Sequence, residues 1–238
     1  TEKQLMDDMA EVKQIIEKLR KAPKAESYSG PAILSAKVSG VFFHEIFGHR
    51  VEGHRLRQQT DAHTFKSQLG EKILPEAISI TFDPTVAEFK GVPLYGNYKY
   101  DDEGIAARKV EVVKNGTFAS YLMSRQPVEG ISNSNGHGRC EPGMAPVSRQ
   151  SNLFVTSKTY IPEEDLHEKL RKMCKKQKKE YGYLFEEVIG GFTRADRMSI
   201  NAFNIIPIVV YRVYTDGRPD EMVRGVSLIG TPLTMFSE

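Results

Sequence analysis

The sequence predicts an α+β fold, with a large, mostly antiparallel sheet and a few covering helices. Three observations lead there. Residues 2–21 repeat apolar side chains at three- and four-residue steps, the period of an amphipathic helix. From residue 77 onward the texture changes to short β-rich runs bounded by turn residues. Asn115-Gly116 and Asp216-Gly217 lie between such runs, and these are hairpin signals because both turn residues tolerate positive φ. Hairpins interleaved with few helices predict α+β rather than a parallel α/β sheet.

The elements follow in order. Leu5, Met9, Val12, Ile15, Ile16 and Leu19 supply the apolar side of the first helix. Pro23 and the Ser-Tyr-Ser-Gly run at 27–30 break it. Pro31 to Ala36 reads as a short strand. Val38 to about Gly53 reads as a second helix, with Ser39 as a candidate cap. Residues 54–76 are polar and poorly periodic, so a loop with short helical pieces is expected. Ala77–Phe82, Lys109–Lys114 and Thr117–Met123 read as strands, the last two flanking Asn115-Gly116. Ser124–Pro146 is a long loop rich in Gly, Asn, Ser and Pro, a kind of segment that is often functional. Leu153–Ser157 is a strand, and Pro162 opens a helix to about Lys179. Tyr183–Ile189 and Ile205–Tyr214 are strands, and Glu221–Ile229 pairs back after Asp216-Gly217. Tyr95, Tyr98 and Tyr100 alternate, which predicts one packed strand face. Residues 1–30 are expected to form an N-terminal helix and linker, and residues 31–238 one domain.

Composition narrows the function. The 238 residues carry 33 Lys and Arg against 31 Asp and Glu, a net charge of +2. This near-balance, with no nucleic-acid motif, argues against direct nucleic-acid binding. The basic run from Lys169 to Lys179 sits on the expected third helix and reads as a solvated face. Two cysteines, Cys140 and Cys174, with no Cys-x-x-Cys pair, exclude a disulfide scaffold and a thiolate zinc finger. They fit a reducing compartment, so a cytoplasmic location is expected. No apolar run reaches the roughly 20 residues of a membrane helix, and no signal peptide opens the chain.

One segment carries chemistry: His44-Glu45-Ile46-Phe47-Gly48-His49. Zinc hydrolases bring two neutral imidazoles to one metal and place a carboxylate to take a proton from water. The common spacing is His-Glu-x-x-His on one helical face. Here one more residue intervenes, and on a regular helix five steps of about 100° leave the histidines roughly 140° apart. A backbone irregularity is therefore required, and a π-bulge with its five-residue register is the expected one. Gly48 would ease such a distortion or a close approach. The plainer reading is a surface helix with scattered polar residues, and spacing alone leaves both open. His54 and His63 lie nearby without a spacing that assigns either as a third ligand.

The run His44-Glu-Ile-Phe-Gly-His-Arg-Val-Glu-Gly53 resembles the His-Glu-x-x-x-His signature of the TldD/PmbA family, TldD branch. Asp101-Asp-Glu-Gly104, Lys114-Asn-Gly116, the loop from Asn135 to Arg139 with Arg149 and Asn152, and Val223-Arg-Gly-Val-Ser-Leu-Ile-Gly230 resemble further family segments in the same order. The resemblance spans roughly Pro31 to Gly230. It implies a zinc metallopeptidase that cuts small or unfolded peptides, with His44 and His49 as zinc ligands and Glu45 as general base. It also implies a homo- or hetero-oligomer with a homologous subunit. In the family the third zinc ligand is a cysteine near the C-terminus. The resemblance therefore implies a catalytic-region fragment whose third ligand lies beyond Glu238. Cys140 and Cys174 do not fall at that place, and His54 stands where the family often has an acidic residue. Asp102 and Glu103 are candidates for shaping a substrate cleft. Arg139 and Arg149 are candidates for holding a peptide carboxylate in bidentate fashion. The competing readings are a non-catalytic scaffold or regulatory subunit and, following an older description of the family, a gyrase-associated regulator.

Overall fold

The architecture comes from a computed structural model that describes residues 1–57, 64–194, 202–232 and 235. His63 lies outside the described residues. Along the chain run α1 (Glu2–Lys21), β1 (Ala32–Leu34), α2 (Ala36–Ile46), β2 (Ile78–Phe82), β3 (Glu88–Phe89), β4 (Val92–Pro93) and β5 (Val110–Lys114). There follow β6 (Thr117–Phe118), β7 (Gly138–Arg139), β8 (Val147–Ser148), β9 (Leu153–Ser157), α3 (Leu166–Lys176), β10 (Tyr181–Arg194), β11 (Ala202–Tyr214), β12 (Glu221–Val223) and β13 (Leu228–Gly230). Short 3-10 turns cover Gly48–Val51, Gly53–Arg57, Lys66–Gln68 and Glu163–Asp165. The class is α+β as expected. The strands form a five-stranded sheet and a separate four-stranded antiparallel sheet, plus two small hairpins.

The chain divides into two compact units. The first holds residues 1–42, 161–191 and 204–228, and the second holds the described residues of 43–160, 192–203 and 229–238. In the first unit β1 runs parallel to β10, with Ala32 opposite Tyr183 and Leu34 opposite Phe185. The sheet continues in the order β1-β10-β11-β12, and β12 lies antiparallel to β11 with Val223 opposite Val210. Its core is Val38, Tyr183, Phe185, Val210 and Val223. On α3, Leu170 and Cys174 pack against Val213. Cys174 is thus a packing residue, and the basic residues of α3 occupy its solvated side, as Lys172 does beside Glu168. Tyr28 stacks on Tyr181 and donates its hydroxyl hydrogen to the Tyr181 carbonyl at 2.9 Å.

Helix α1 has the predicted limits, but none of its residues is buried. Leu5, Met9, Val12 and Ile16 each stay at least half exposed. The cap of α2 differs from the expected one. The Ser35 hydroxyl, not that of Ser39, accepts the Val38 N–H at 3.2 Å, while Ser39 donates back to the Leu34 carbonyl.

In the second unit the order is β6-β5-β2-β9. The Asn115-Gly116 turn closes β5 and β6 with both residues at positive φ, +48° and +81°, as the dipeptide predicts. Ile80, Phe82, Val112, Val113 and Phe118 are fully or nearly fully buried. Phe47, Phe65 and Phe118 meet through ring contacts at 5.5–6.2 Å, geometries that add to the burial of their area. Tyr95, Tyr98 and Tyr100 do not form a strand face, because β4 ends at Pro93. The Tyr95 and Tyr100 side chains are exposed, while Tyr98 donates its hydroxyl to the Gly136 carbonyl.

Candidate metal centre

The expected irregularity between His44 and His49 exists, but it is not a π-bulge. Helix α2 stops at Ile46. The Phe47 N–H still donates to the Phe43 carbonyl at 3.1 Å in α-helical register, and the Arg50 N–H then donates to the Phe47 carbonyl at 2.9 Å in 3-10 register. Phe47, at φ −123° and ψ −53°, is the hinge between the two. A helix that ends leaves carbonyls without partners. Here the buried Arg50 reaches back, and its Nη1 donates to the carbonyl oxygens of Glu45 at 2.6 Å and Ile46 at 3.4 Å. The following backbone is fixed to a distant segment. Gly53 N–H donates to Leu122 O at 2.8 Å, and Leu122 N–H donates to Val51 O at 2.9 Å. A Cβ on Gly53 would stand 2.8 Å from that same Leu122 oxygen, so glycine is needed for the approach.

This break brings together side chains that a regular helix would separate. The His44 and His49 rings lie edge to face with centroids 4.6 Å apart. One donor atom each from His44, Glu45 and His49 lies within 4.8 Å of the others. Glu45 is buried between the imidazoles, its oxygens 3.9 Å from His44 Nε2 and 4.0 Å from His49 Nε2. Both separations are too long for hydrogen bonds, and Glu45 Oε2 has no partner among the described residues. Burial raises the Glu45 carboxyl pKa against the opposing pull of His49 and Arg50. Burial, reinforced by His49, lowers the His44 pKa to about 4, so this ring is neutral, as a metal ligand must be.

These residues fit a zinc ion. Tetrahedral zinc with bonds of about 2.0–2.1 Å to nitrogen holds its ligand atoms roughly 3.4 Å apart. A cation there would also offset the buried, unpartnered carboxylate oxygen, which is otherwise costly.

Around this group stands a layer of polar residues, of which the sequence pattern singled out Arg149 alone. Glu52 is fully buried, with its Oε1 3.1 Å from His49 Nδ1. Its Oε2 accepts from Arg55 Nε and Nη2, both at 2.9 Å. Burial alone would raise the Glu52 pKa, but the His49 hydrogen bond and the two arginine charges lower it. Arg149 Nη1 lies 3.5 Å from Glu52 Oε1 with its guanidinium half exposed. Next to it, the Gln150 carboxamide presses on Gly48, where a Cβ would meet Gln150 Oε1, and both amide atoms are buried without partners. A His-x-x-Glu spacing in a three-residue helical register is the signal that could have found Glu52. No local pattern marks Arg50 or Gln150.

Of the other sequence candidates, Arg149 comes beside the histidine–glutamate group, and Asp102, Glu103 and Arg139 form a knot of their own. Asp102 Oδ2 accepts from Cys140 N–H at 2.8 Å and Arg139 Nε at 3.1 Å. The Arg139 guanidinium lies over the Tyr98 ring at 4.4 Å. Glu103 Oε2 accepts the Arg125 N–H. Asp101 is buried and takes three backbone N–H groups, from Glu103, Ile105 and Gly138. His54 turns its Nδ1 to the Ser148 carbonyl at 3.0 Å and is not part of the metal-competent group. Cys140 is exposed and free.

Two imidazoles and a buried carboxylate with an unpartnered oxygen form a group that could hold a metal ion. Residues 27–238 match the family described as the PmbA/TldA metallopeptidase C-terminal domain, and the chain belongs to that family. It is 32% identical over 158 residues to a metalloprotease of Archaeoglobus fulgidus, covering 66% of this chain and 35% of that protein. It is 30% identical over 114 residues to a zinc metalloprotease TldD homolog of Saccharolobus solfataricus, covering 48% and 24% respectively. The chain thus spans about a third or less of these relatives. Among solved structures, it superposes on TldE from Thermococcus kodakarensis with a TM-score of 0.64 at 16% identity, covering 94% of this chain and 46% of that one. A Thermotoga maritima protein whose description suggests a modulator of a DNA gyrase gives a TM-score of 0.63 at 19% identity, covering 91% and 45%. Both likenesses concern the fold. No described helix is long and apolar enough to cross a membrane.

Proposed function

We propose that this chain carries the catalytic centre of a zinc-dependent peptidase acting on small or unfolded peptides. The observation behind this reading is the His44–Glu45–His49 group, with its buried, unpartnered Glu45 oxygen. His44 and His49 would hold the ion. Zinc supplies an acidified water nucleophile near neutral pH and polarises the carbonyl under attack. Glu45 would take a proton from the attacking water, and the burial that raises its pKa would make it a better base. The protonated Glu45 can then deliver the proton to the departing amine. Arg149, with its half-exposed guanidinium beside the histidines, is the group best placed to hold a peptide carboxylate. Asp102 and Arg139 satisfy each other, so they are not assigned a substrate contact. Working with a homologous subunit belongs to the same proposal and rests on the family resemblance.

The test is zinc content and peptide cleavage measured side by side. His44→Ala and His49→Ala are expected to lose both. Glu45→Gln is expected to keep zinc and lose cleavage. Zinc binding without cleavage in the unaltered protein, across a panel of unfolded peptides, would favour the scaffold reading.

A further inference from the structure

We propose that Glu52 is a positioning residue of this centre: its Oε1 accepts the Nδ1 hydrogen of His49 and so leaves the Nε2 lone pair free for a metal. The inference rests on the metal-site reading above and adds a residue to it.

The geometry carries it in three parts. First, the 3.1 Å contact from His49 Nδ1 to Glu52 Oε1 occupies the nitrogen on the side away from Glu45, whose Oε2 lies 4.0 Å from His49 Nε2. The two ring nitrogens are therefore divided between two carboxylates, one bonded and one waiting. A carboxylate can only accept, so the shared hydrogen sits on Nδ1. Metal-bound imidazoles are commonly oriented in this way by a second carboxylate. Second, Glu52 cannot turn away. Arg55 holds Oε2 with two N–H groups at 2.9 Å, Arg149 flanks Oε1, and the backbone on both sides is bonded to Leu122. Third, a fully buried carboxylate is strongly disfavoured unless it is fully partnered. Glu45, seven residues away, is buried as well but lacks such partners. The chain thus places one satisfied and one unsatisfied carboxylate on either side of a single imidazole.

The isosteric substitution Glu52→Gln gives a distinctive prediction. Arg55 can only donate, so the new carboxamide must turn its oxygen toward Arg55 and its NH2 toward His49. Nδ1 then has to accept, and the ring hydrogen moves to Nε2, where a metal would bind. In long-range 1H–15N spectra of the zinc-free chain at pH 8, His49 is expected as the Nδ1–H tautomer. In Glu52→Gln it is expected as Nε2–H, with zinc affinity 10- to 100-fold weaker in chelator competition. A purely structural Glu52 would not move the tautomer. An unaltered protein already in the Nε2–H form overturns the proposal without any variant. So does a folded Glu52→Gln chain that keeps both the tautomer and the affinity. If Glu52→Gln does not fold, the tautomer of the unaltered chain decides alone. Failure of the full-length protein, with the segment beyond Glu238, to bind zinc would sink the peptidase reading, while the tautomer measurement still judges the role of Glu52.

Discussion

Two regions of the second unit each bury a carboxylate and differ in how it is partnered. Around residue 101, three consecutive acids are matched one by one. Asp101 takes three backbone N–H groups, Asp102 pairs with Arg139 and the Cys140 amide, and Glu103 takes the Arg125 amide. The Cys140 amide holds the Asp102 carboxyl below its ordinary range. Around residue 45 a single acid is buried with an oxygen that nothing satisfies, and its pKa is raised. Burial of a carboxylate therefore does not by itself mark function. What separates the two is whether the protein completes its hydrogen bonds. Here the satisfied acid builds a turn, and the unsatisfied one beside two imidazoles is the one the proposal assigns to chemistry.

The comparison can be sharpened experimentally. The largest contrast is expected at Glu45. Changing Glu45→Gln removes a buried, unpartnered charge without changing shape, so peptide cleavage should fall by about 10²- to 10⁴-fold. The thermal midpoint should stay level or rise, since active-site strain is commonly exchanged for stability. A clear loss of stability would mean that Glu45 is as structural as Asp101. The opposite sign is expected at Asp101. Asp101→Ala strands three backbone N–H groups, one buried and two partly buried, and should cost about 2–3 kcal/mol in denaturant unfolding. A proportionate loss of stability in the isosteric Asn variant, with no independent effect on zinc, would keep this acid in the structural class.

A third prediction concerns pH. His137 is fully buried between the Asn135 carbonyl and the Ser151 hydroxyl, and burial lowers its pKa to about 4. It stays neutral in the fold but takes a proton near 6.5 once unfolded. Its contribution is complete above about pH 6.5 and is lost as pH falls toward about 4, by about 3 kcal/mol in all. His137→Gln should flatten that part of the stability profile. The smallest effect is expected at Arg139→Met, about 1 kcal/mol, from the loss of a half-exposed ion pair and a cation–π contact. A rise in KM at unchanged stability would instead return Arg139 to the substrate.

Much of this was legible in the chain, and the limits have physical causes. Helix α1 and the Asn115-Gly116 hairpin followed from local periodicity and from φ preference, neither of which needs a tertiary partner. The parallel pairing of β1 with β10, about 150 residues apart, has no local signature. His44, Glu45 and His49 were found by residue type and spacing, and the need for a backbone irregularity followed from helix geometry. Its kind did not, because the Arg50 side chain folds back on the last carbonyls of α2 without a sequence signature, and the bonds to Leu122 are tertiary. Glu52 lies inside the same run, unmarked by a regular helical spacing. Its role shows only when the 3-10 turn sets it three residues behind His49 on the same side. The acids at 101–103 signalled a turn, but their partners at 125 and 138–140 are supplied by the fold.

The link between Val51, Gly53 and Leu122 bears on how the centre meets its ion. Two amide hydrogens on opposite segments are locked into one small ladder beside side chains that are wholly enclosed. Such hydrogens are expected to exchange with solvent as slowly as those of the neighbouring strands, on the timescale of global unfolding rather than of loop motion. An arriving cation would then find His49 on a backbone that is already ordered, and its association would be governed by desolvation and a side-chain rotation instead of by segmental folding.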